Sequence, residues 1–345
     1  MNINASIIGA SGYTGLELIN ILSLHPNVTL KYLVSRSNSG KKVADLYPSL
    51  YALGNKEFSH PSVEEIAKQS DVVFLALPHG ESASFAGKLY DLGVKVIDLS
   101  ADFRYDSLEL YENTYGITHP RKDLNDKAVY GLCEIYRNNI KKARLVANPG
   151  CYTTCSILPL YPLLKEGIIK SDSIIIDAKS GISGAGRKAK TDYIFCETSE
   201  NFKAYSLTNH RHTSEIEEKL SIAANRPITL SFSPHLLPIK RGILCTIYAA
   251  LSNINADIET IYNDFYKNEP FVKILPETLL PEIKNVAGSN DIQIGFIKDK
   301  RLNRLIIVSC LDNLIKGASG QAAQNMNIMF GMEETAALKF SARYI

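Results

Sequence analysis

The sequence predicts an α/β protein of two domains, a doubly wound parallel sheet followed by an α+β domain. Three observations support this class. The first half alternates short, fully apolar strands with helix-like segments, which is typical of parallel sheets covered on both faces. The second half has more β-branched strands and fewer intervening helices. The length of 345 residues is ordinary for two domains.

The elements of the first half follow one another as strand, helix and strand. Apolar runs predict strands at residues 5–9, 28–34, 71–77, 94–99 and 145–147. Helical spacing of apolar residues predicts helices at residues 16–24, 63–69 and 82–92. We therefore expect a first domain over residues 1–149.

The second half predicts a domain over residues 150–315. Its strands are expected at residues 173–178, 228–233, 243–251, 292–297 and 305–309, with a hairpin loop at 299–303. Its helices are expected at 213–224 and 258–267. A last helix, at 317–332, starts with small residues and is expected to return to the first domain within the segment 316–345.

Composition excludes several classes of protein. Lys and Arg number 38 against 36 Asp and Glu, which leaves no basic field for nucleic acid. Apolar runs are far shorter than the roughly 18 residues of a membrane helix. The first twelve residues carry no basic side chain, and six cysteines are too sparse for a disulfide scaffold. We therefore expect a cytoplasmic enzyme with neither nucleic-acid nor membrane partners.

Residues 9–15, Gly-Ala-Ser-Gly-Tyr-Thr-Gly, lie between the first predicted strand and the first predicted helix. Glycines permit a tight turn there and let backbone N–H groups approach a pyrophosphate at the helix N-terminus. The spacing is less common than G-x-G-x-x-G, and the strand–turn–helix context supports it. The motif predicts a Rossmann-type dinucleotide-binding domain, with contacts from Gly9, Ser11, Gly12, Tyr13, Thr14 and Gly15.

The second strand indicates which dinucleotide binds. An NAD site needs an acidic residue at the end of this strand for the ribose 2′-hydroxyl, and no Asp or Glu occurs between Leu18 and Ala44. The strand ends instead in Ser35, Arg36 and Ser37, whose hydroxyls and guanidinium suit a 2′-phosphate. A solvated basic loop is the alternative. We predict NADP(H).

The segment Asn-Pro-Gly-Cys-Tyr-Thr-Thr at residues 148–154 predicts a reactive thiol at Cys151. A Pro-Gly turn ends a strand and places the cysteine in the first turn of a helix, where the helix dipole stabilises a thiolate. The alternative is a buried structural thiol, which suits the other five cysteines: Cys133, Cys155, Cys196, Cys245 and Cys310. No compact His/Cys set accompanies the pair Cys151 and Cys155, so no metal site is predicted.

A thiolate beside a nicotinamide would form a thioester and would need a general base. The segment His210-Arg211-His212 offers one, with Thr213 as a plausible N-cap and Glu215 in the first turn of the next helix. Surface or capping histidines are the alternative.

Anion-binding groups complete the candidate site. Residues 183–188, Ser-Gly-Ala-Gly-Arg-Lys, form a small-residue loop that could bind phosphate or carboxylate through backbone N–H groups. Residues 100–104 follow another strand and end in an arginine. The candidate substrate-binding residues are Arg104, Ser183, Gly184, Arg187, Tyr205 and Arg211.

Together these motifs resemble the N-acetyl-γ-glutamyl-phosphate reductases, the arginine-biosynthesis branch of the semialdehyde dehydrogenase superfamily. The matching segments keep their order along nearly the whole chain, at residues 9–15, 76–80, 98–104, 130–132, 149–152, 183–187, 210–212, 241–242 and 312–314. The family often has proline where this chain has Thr153 and Ser214. Proline in a first helical turn mainly presets φ, so these departures leave the chemistry intact.

The resemblance implies NADPH-dependent reduction of an acyl phosphate to N-acetylglutamate semialdehyde and phosphate, with Cys151 as the nucleophile. The base would be either His210 or His212, and the sequence leaves that choice open. Arg104 is expected to bind the substrate's carboxylate. The family also implies a homodimer or homotetramer, and the second domain would be the catalytic and oligomerisation domain of the semialdehyde dehydrogenase type.

Further cofactor contacts are expected from two segments. By the resemblance, Asn313 and Gly317 would lie near the nicotinamide, and Gly184 would contribute to the same site. Leu77, Pro78 and Gly80 follow a parallel strand, at the edge where doubly wound sheets bind ligands.

Three other functions remain open at this stage. A sister activity on aspartyl phosphate or carrier-linked aminoadipyl phosphate would use the same nucleophile and cofactor loop. A non-catalytic NADP-binding regulator would bind the dinucleotide without thiol-dependent activity. A cysteine hydrolase or acyltransferase is disfavoured by the nucleotide loop. We also expect Pro159 to kink the helix after Cys151 or to end it near Leu158.

Overall fold

The computed structural model describes residues 2–342, so the predicted domain ends at Met1 and at residues 343–345 lie outside the described residues. The chain forms two compact units. The first comprises the described residues up to Pro149 together with Ala318–Lys339. The second comprises Gly150–Gly317 and the described residues from Phe340 onward. The segment that returns to the first unit therefore begins at Ala318 and ends at Lys339, shorter than the predicted 316–345.

A seven-stranded parallel sheet organises the first unit, in the order β3-β2-β1-β4-β5-β7-β6. Its strands are β1 (Ile3–Ile8), β2 (Val28–Val34), β3 (Phe58–Ser59), β4 (Val72–Leu75), β5 (Lys95–Asp98), β6 (Ala128–Tyr130) and β7 (Leu145–Ala147). The helices of residues 2–149 are α1 (Tyr13–Ser23), α2 (Val43–Leu46), α3 (Val63–Gln69), α4 (Ser82–Asp91), α5 (Leu108–Tyr115) and α6 (Cys133–Ile140). All four residues of β4 are buried, as expected for a strand covered on both faces. The predicted doubly wound sheet is confirmed.

A seven-stranded mixed sheet organises the second unit, in the order β12-β13-β14-β11-β8-β10-β9. Its strands are β8 (Ile175–Gly181), β9 (Lys203–Ala204), β10 (Ser231–Leu237), β11 (Ile243–Ala250), β12 (Val272–Ile274), β13 (Ile292–Asp299) and β14 (Arg304–Leu311). The accompanying helices are α7 (Cys151–Lys165), α8 (Phe195–Thr198), α9 (His212–Ala224) and α10 (Ile258–Tyr266). Strands β13 and β14 pair antiparallel across the predicted hairpin loop. This unit is the expected α+β domain.

Of the two outcomes expected of Pro159, an end of helix α7 near Leu158 is wrong, because α7 continues through Pro159 and Pro162 to Lys165. A proline at position i removes the N–H that would bond the carbonyl at i−4. The two carbonyls concerned, of Cys155 and Leu158, accept instead from the hydroxyls of Ser309 (2.7 Å) and Tyr266. Side chains from β14 and α10 therefore replace the bonds that the prolines remove.

Strand β10 (Ser231–Leu237) begins and ends later than the predicted 228–233. It includes Pro234. The carbonyl of Pro234 accepts from the backbone N–H of Tyr205, so it points away from β8 and toward the side of β9. The nitrogen and carbonyl of one strand residue point the same way, so the missing N–H removes no bond from the β8–β10 ladder.

The last predicted helix starts differently from the prediction of 317–332. Residues Ile315–Ser319 form one π-helical turn, in which Gly317 N–H donates to Asp312 O at 2.9 Å. Helix α11 (Gly320–Met329) follows, and each of its residues is buried. Within the first unit α11 packs beside α1 and α6, and its Asn327 lies 3.0 Å from His25 Nε2.

Candidate functional site

The glycine turn between β1 and α1 is shaped by two close backbone approaches. Gly9 has φ +87°, and a Cβ there would lie 2.2 Å from the carbonyl oxygen of Ala76. A Cβ at Gly15 would lie 2.4 Å from Gly9 O. Gly12 is the N-cap of α1 and brings no side chain to its first N–H groups. The turn thus leaves the N-terminus of α1 without a side-chain cap, an arrangement that suits anion binding.

The loop after β2 carries the groups predicted for a 2′-phosphate. Ser35 is buried and its Oγ lies 2.8 Å from Ser11 Oγ, which ties the end of β2 to the glycine turn. Arg36 and Ser37 follow in a short 3₁₀ turn and are exposed. Both features fit NADP(H), and the absence of an acidic side chain between residues 18 and 44 agrees with them.

The segment after β4 is held by a buried carboxylate that the sequence did not reveal. Asp102 accepts hydrogen bonds from the N–H groups of Gly80 (2.8 Å) and Ala83 (2.9 Å) and from the Tyr111 hydroxyl (3.0 Å). Gly80 has φ +86°, a conformation that favours glycine. Leu77 and Pro78, directly before this turn, are partly or fully exposed, as a ligand contact requires.

A second buried carboxylate lies beside Asp102. Asp98 accepts from the hydroxyls of Ser82 and Ser100 (2.7 Å for Ser100) and from Ser100 N–H (2.9 Å). Burial, reinforced by the nearby Asp102, raises the pKa of Asp98 to about 6. The two acids together hold the loops that follow β4 and β5.

Arg104, a predicted substrate contact, is a buried side chain and not an exposed one. The side chain is buried, its Nε donates to Asn148 O and its Nη2 to Leu99 O, both at 2.8 Å. These bonds join the ends of β5 and β7 within the first unit. A carboxylate contact from Arg104 stays a prediction.

Cys151 is the first residue of α7, directly after the N-cap Gly150, and is partly exposed. The backbone of the π-turn lies against it, since a Cβ at Gly317 would come within 2.7 Å of Cys151 Cβ. Only glycine fits at position 317 without displacing the thiol-bearing residue. The resemblance had assigned Gly317 to the nicotinamide; in the second unit the structure brings it to Cys151.

The remaining cysteines lie in other surroundings. Cys133, Cys155, Cys245 and Cys310 are buried, and Cys196 is exposed. Burial raises the pKa of the Cys245 and Cys310 thiols well above the ordinary range. Cys155, one helical turn after Cys151, contacts Ser309 in the interior.

The ring of His210, one of the two candidate bases, has a contact at each of its nitrogens. His210 Nδ1 accepts the backbone N–H of His212 at 3.1 Å, and its Nε2 lies 3.5 Å from the Tyr205 hydroxyl. Burial lowers the pKa of His210 to about 4, and the charge of Arg211 acts in the same direction. His210 is therefore a neutral ring whose lone pair is already occupied. The His212 ring lies 4.9 Å from it, centre to centre.

The aromatic ring of Tyr152 packs against both histidines, at 5.6 Å from His210 and 6.0 Å from His212. Its hydroxyl donates to His235 O and accepts from Tyr205. The residue after the candidate nucleophile thus orients the histidine pair. The sequence signalled Cys151 and the histidines but gave no signal for this packing.

The small-residue loop at 183–186 is joined to Asn313. The side-chain amide of Asn313, almost fully buried, donates to Ser183 Oγ at 2.9 Å and accepts Gly242 N–H at 2.7 Å. A Cβ at Gly184 would lie 3.2 Å from Ser180 Oγ. Arg187 and Arg211 are exposed. The structure thus brings Ser183, Gly184 and Asn313 into one cluster.

Glu215 makes contacts that its place in the sequence does not indicate. It was noted only as a first-turn acid of α9, yet its side chain is fully buried. Its Oε1 accepts Gly150 N–H at 3.1 Å and lies 3.0 Å from Thr153 Oγ1. Glu215 therefore contacts Gly150, directly before the candidate nucleophile, and Thr153, two residues after it.

Metal clusters and membrane-spanning helices are both absent from the part of the chain that the structure describes. Among residues 2–342, no group of three or more His, Cys, Asp or Glu side chains could hold a metal ion. In the same part of the chain, every helix is too short or too polar to cross a membrane.

Known proteins resemble the chain over almost its full length. Family models for the semialdehyde dehydrogenase NAD-binding domain and dimerisation domain match residues 4–143 and 151–313. N-acetyl-gamma-glutamyl-phosphate reductases from Acetivibrio thermocellus and Campylobacter jejuni are 49% and 52% identical, over 99% of this chain and 99% of theirs.

Solved structures share the fold at low sequence identity. Aspartate semialdehyde dehydrogenase II from Vibrio cholerae, in complex with ASA, is 18% identical with a TM-score of 0.73, covering 96% of this chain and 99% of that one. The Candida albicans aspartate semialdehyde dehydrogenase with NADP is 16% identical with a TM-score of 0.69, and it also covers 96% of this chain and 99% of that one. The full-length relatives decide the group: the chain belongs to the semialdehyde dehydrogenase family, among the N-acetyl-gamma-glutamyl-phosphate reductases.

Proposed function

We propose that the chain reduces N-acetyl-γ-glutamyl phosphate with NADPH to N-acetylglutamate 5-semialdehyde and phosphate, a step of arginine biosynthesis. The observation that carries the proposal is Cys151 at the first residue of α7, with the histidine pair of residues 210–212 packed on its neighbour Tyr152. The relatives named for this reaction share about half of their residues with this chain over full length.

The first unit is the cofactor-binding domain in this proposal, and its residues fit NADP(H). The glycine turn at 9–15 would hold the pyrophosphate, and Ser35, Arg36 and Ser37 the 2′-phosphate. Gly9 leaves no space for a side chain, as expected where backbone must approach a ligand closely. NADPH, when bound, supplies the hydride that reduces the thioester carbonyl.

Cys151 is the proposed nucleophile. Its thiolate attacks the acyl-phosphate carbonyl, a C–S bond forms, and the C–O bond to phosphate breaks with its electron pair leaving on phosphate. The first turn of α7 favours the thiolate through the helix dipole. The exposed cations Arg187 and Arg211 are the proposed phosphate contacts, with Ser183, Gly184 and Tyr205 as further substrate contacts.

His212 is the proposed general base and acid. The lone pair of His210 is engaged by the His212 N–H, and its pKa of about 4 makes it a poor proton acceptor at neutral pH. His212 takes the thiol proton before attack. After reduction it holds a proton at the hemithioacetal oxyanion until the C–S bond breaks and Cys151 leaves as thiolate. His210 fixes the backbone at His212.

The test is NADP reduction in the reverse direction, with N-acetylglutamate semialdehyde and inorganic phosphate. We expect phosphate-dependent turnover that iodoacetamide abolishes, faster with NADP than with NAD. Aspartate semialdehyde is the comparison substrate, and faster turnover with it would overturn the substrate assignment. Turnover that survives alkylation of Cys151 would overturn the mechanism.

Assembly and location are proposed on separate grounds. The second unit matches a dimerisation domain, which supports a homo-oligomer, and we expect a dimer or tetramer. Cys245 contacts Ser156 of α7, so its strand neighbours Leu244 and Thr246 face away from that helix and are partly exposed. This sheet face is the surface on which we expect copies to pair. Light scattering measures the number of copies, and a charged substitution at Thr246 would test the face. All six cysteines are free, which suits the cytoplasm.

A further inference from the structure

The helix that bears Cys151 starts without a capping side chain of its own. Its N-cap is Gly150, and its third residue is Thr153. In a capping box the third residue is Glu or Gln, and its side chain accepts the N–H of the N-cap residue. Helix α3 shows the complete local arrangement, with Ser62 as N-cap and Glu65 returning to it at 2.8 Å. Thr153 cannot make this bond for α7.

Glu215 of α9 supplies the missing acceptor from another helix. Its Oε1 accepts Gly150 N–H at 3.1 Å, which is the bond that the third residue makes in a capping box. The Thr153 hydroxyl, at 3.0 Å, approaches the same oxygen and also contacts Gly150 O at 2.6 Å. The side chain of Glu215 is fully buried, so solvent does not compete for these bonds. The capping box of α7 is thus completed between two helices.

The position of Glu215 on α9 gives this cap a consequence for the chemistry. Glu215 is three residues after His212, and residues three apart lie on the same face of a helix. The acid therefore binds the residue that precedes Cys151 while it belongs to the helix turn that begins with His212. The side chain of Glu215 thus links the start of α7, which carries Cys151, to the start of α9, which carries His212.

We propose that Glu215 is a positioning residue, which fixes the separation between Cys151 and His212 through Gly150 and Thr153. The inference rests on the proposed roles of Cys151 and His212. Position 153 often carries proline in the reductases that the sequence resembles, and proline has no hydroxyl for this bond. Thr153 therefore gives Glu215 a second contact that belongs to this chain.

Two variants that lose the same charge separate positioning from electrostatics. Glu215→Gln keeps an oxygen that can accept Gly150 N–H, and Glu215→Ala removes it. The readouts are kcat, KM and the pH midpoint of iodoacetamide alkylation at Cys151, followed on its peptide by mass spectrometry. We expect Glu215→Ala to have a kcat about tenfold or more below that of Glu215→Gln, with KM within about threefold, because misplaced reacting groups lose rate. Its alkylation midpoint should lie above that of Glu215→Gln.

Equal kcat values and equal midpoints in the two variants would overturn the proposal, and so would a loss expressed in KM alone. Urea unfolding, compared with that of wild type, reports whether a variant is folded. If Glu215→Ala does not fold, Thr153→Val and Thr153→Ser make the same comparison without a charge change. Thr153→Ser should keep wild-type kcat and Thr153→Val should lose several-fold, while equal rates in these two would count against the proposal. Activity in Cys151→Ser would instead refute the proposed nucleophile, which is a separate failure.

Discussion

Helices α1 and α7 begin in the same way and serve different purposes. Each follows a buried parallel strand, and each has glycine as its N-cap with no side-chain cap of its own. At α1 the neighbouring side-chain groups are the hydroxyls of Ser11 and Ser35, which contact each other. At α7 the buried carboxylate of Glu215 caps the helix. In the proposed function, a similar local start thus serves the cofactor at α1 and the nucleophile at α7, according to its tertiary partners.

The comparison predicts that changes at α7 lower kcat and that changes at α1 weaken cofactor binding. Cys151→Ser tests the first part and has the largest expected effect. Loss of a catalytic nucleophile costs on the order of 10⁴-fold or more in kcat, and NADPH affinity should stay unchanged. Cys196→Ser, which removes an exposed thiol, is the matched control and should keep wild-type kcat. A Cys151→Ser enzyme with near-normal kcat would contradict the assignment.

Exchange of each histidine for asparagine sharpens the α7 side of the comparison. His212→Asn should lower kcat by about 10²–10⁴-fold, the usual contribution of a general acid–base group. His210→Asn should cost less, about tenfold, because this ring only orients its neighbour. Since the pKa of His210 is about 4, its protonation falls below the usual assay range, and the acidic limb of the pH profile above pH 5 should persist in His210→Asn. Disappearance of that limb would assign the base to His210.

Gly9→Ala tests the α1 side. The added Cβ would meet Ala76 O at 2.2 Å in a left-handed conformation. We expect a loss of about 1–3 kcal/mol in the free energy of unfolding and weaker NADPH binding, with little change in kcat at saturation. Gly12→Ala is the control, because its nearest neighbour would be 3.5 Å away, and it should cost less than about 1 kcal/mol. Equal losses in unfolding experiments would refute the steric argument.

The smallest expected effect is on stability and concerns Asp98. This residue is a buried carboxylate of the first unit, as Glu215 is of the second. Its pKa of about 6 lies above the ordinary value of 3.8, so the folded state binds more protons than the unfolded state between these values. Stability from this group therefore increases as pH falls from 7 to 5, by about 1 kcal/mol. Urea unfolding of wild type and Asp98→Asn at both pH values measures it. A difference between the two proteins that is independent of pH would contradict the shift.

Strong local patterns made much of the fold predictable. The strands Val28–Val34 and Leu145–Ala147 and the helix Val63–Gln69 have the predicted bounds, because each is a bounded apolar or amphipathic run. The two-residue strands β3 and β9 carry no periodic signal and were missed. Helix α7 continues past Pro159, against the predicted end near Leu158, because its freed carbonyls find donors far away in sequence.

The reacting residues of the candidate site could be predicted from the sequence, but the buried carboxylates that hold the surrounding backbone could not. Cys151 and the histidine pair are visible in the sequence because nucleophiles and bases are rare residue types in conspicuous turns. Asp102 and Glu215 were missed, since a buried carboxylate is defined by the N–H groups that surround it after folding. The preference for His212 over His210 likewise needed the hydrogen bond at His210 Nδ1, which only the structure shows.

The bonds that carry α7 through its two prolines make the helix dependent on its surroundings. Cys155 and Leu158 lose their local donors, and the replacements from Ser309 and Tyr266 are more than 100 residues away in the chain. An isolated peptide of this sequence would not hold the turn that favours the thiolate. We therefore expect the reactivity proposed for Cys151 to be acquired with the fold of the second unit, so that its alkylation rate would report refolding.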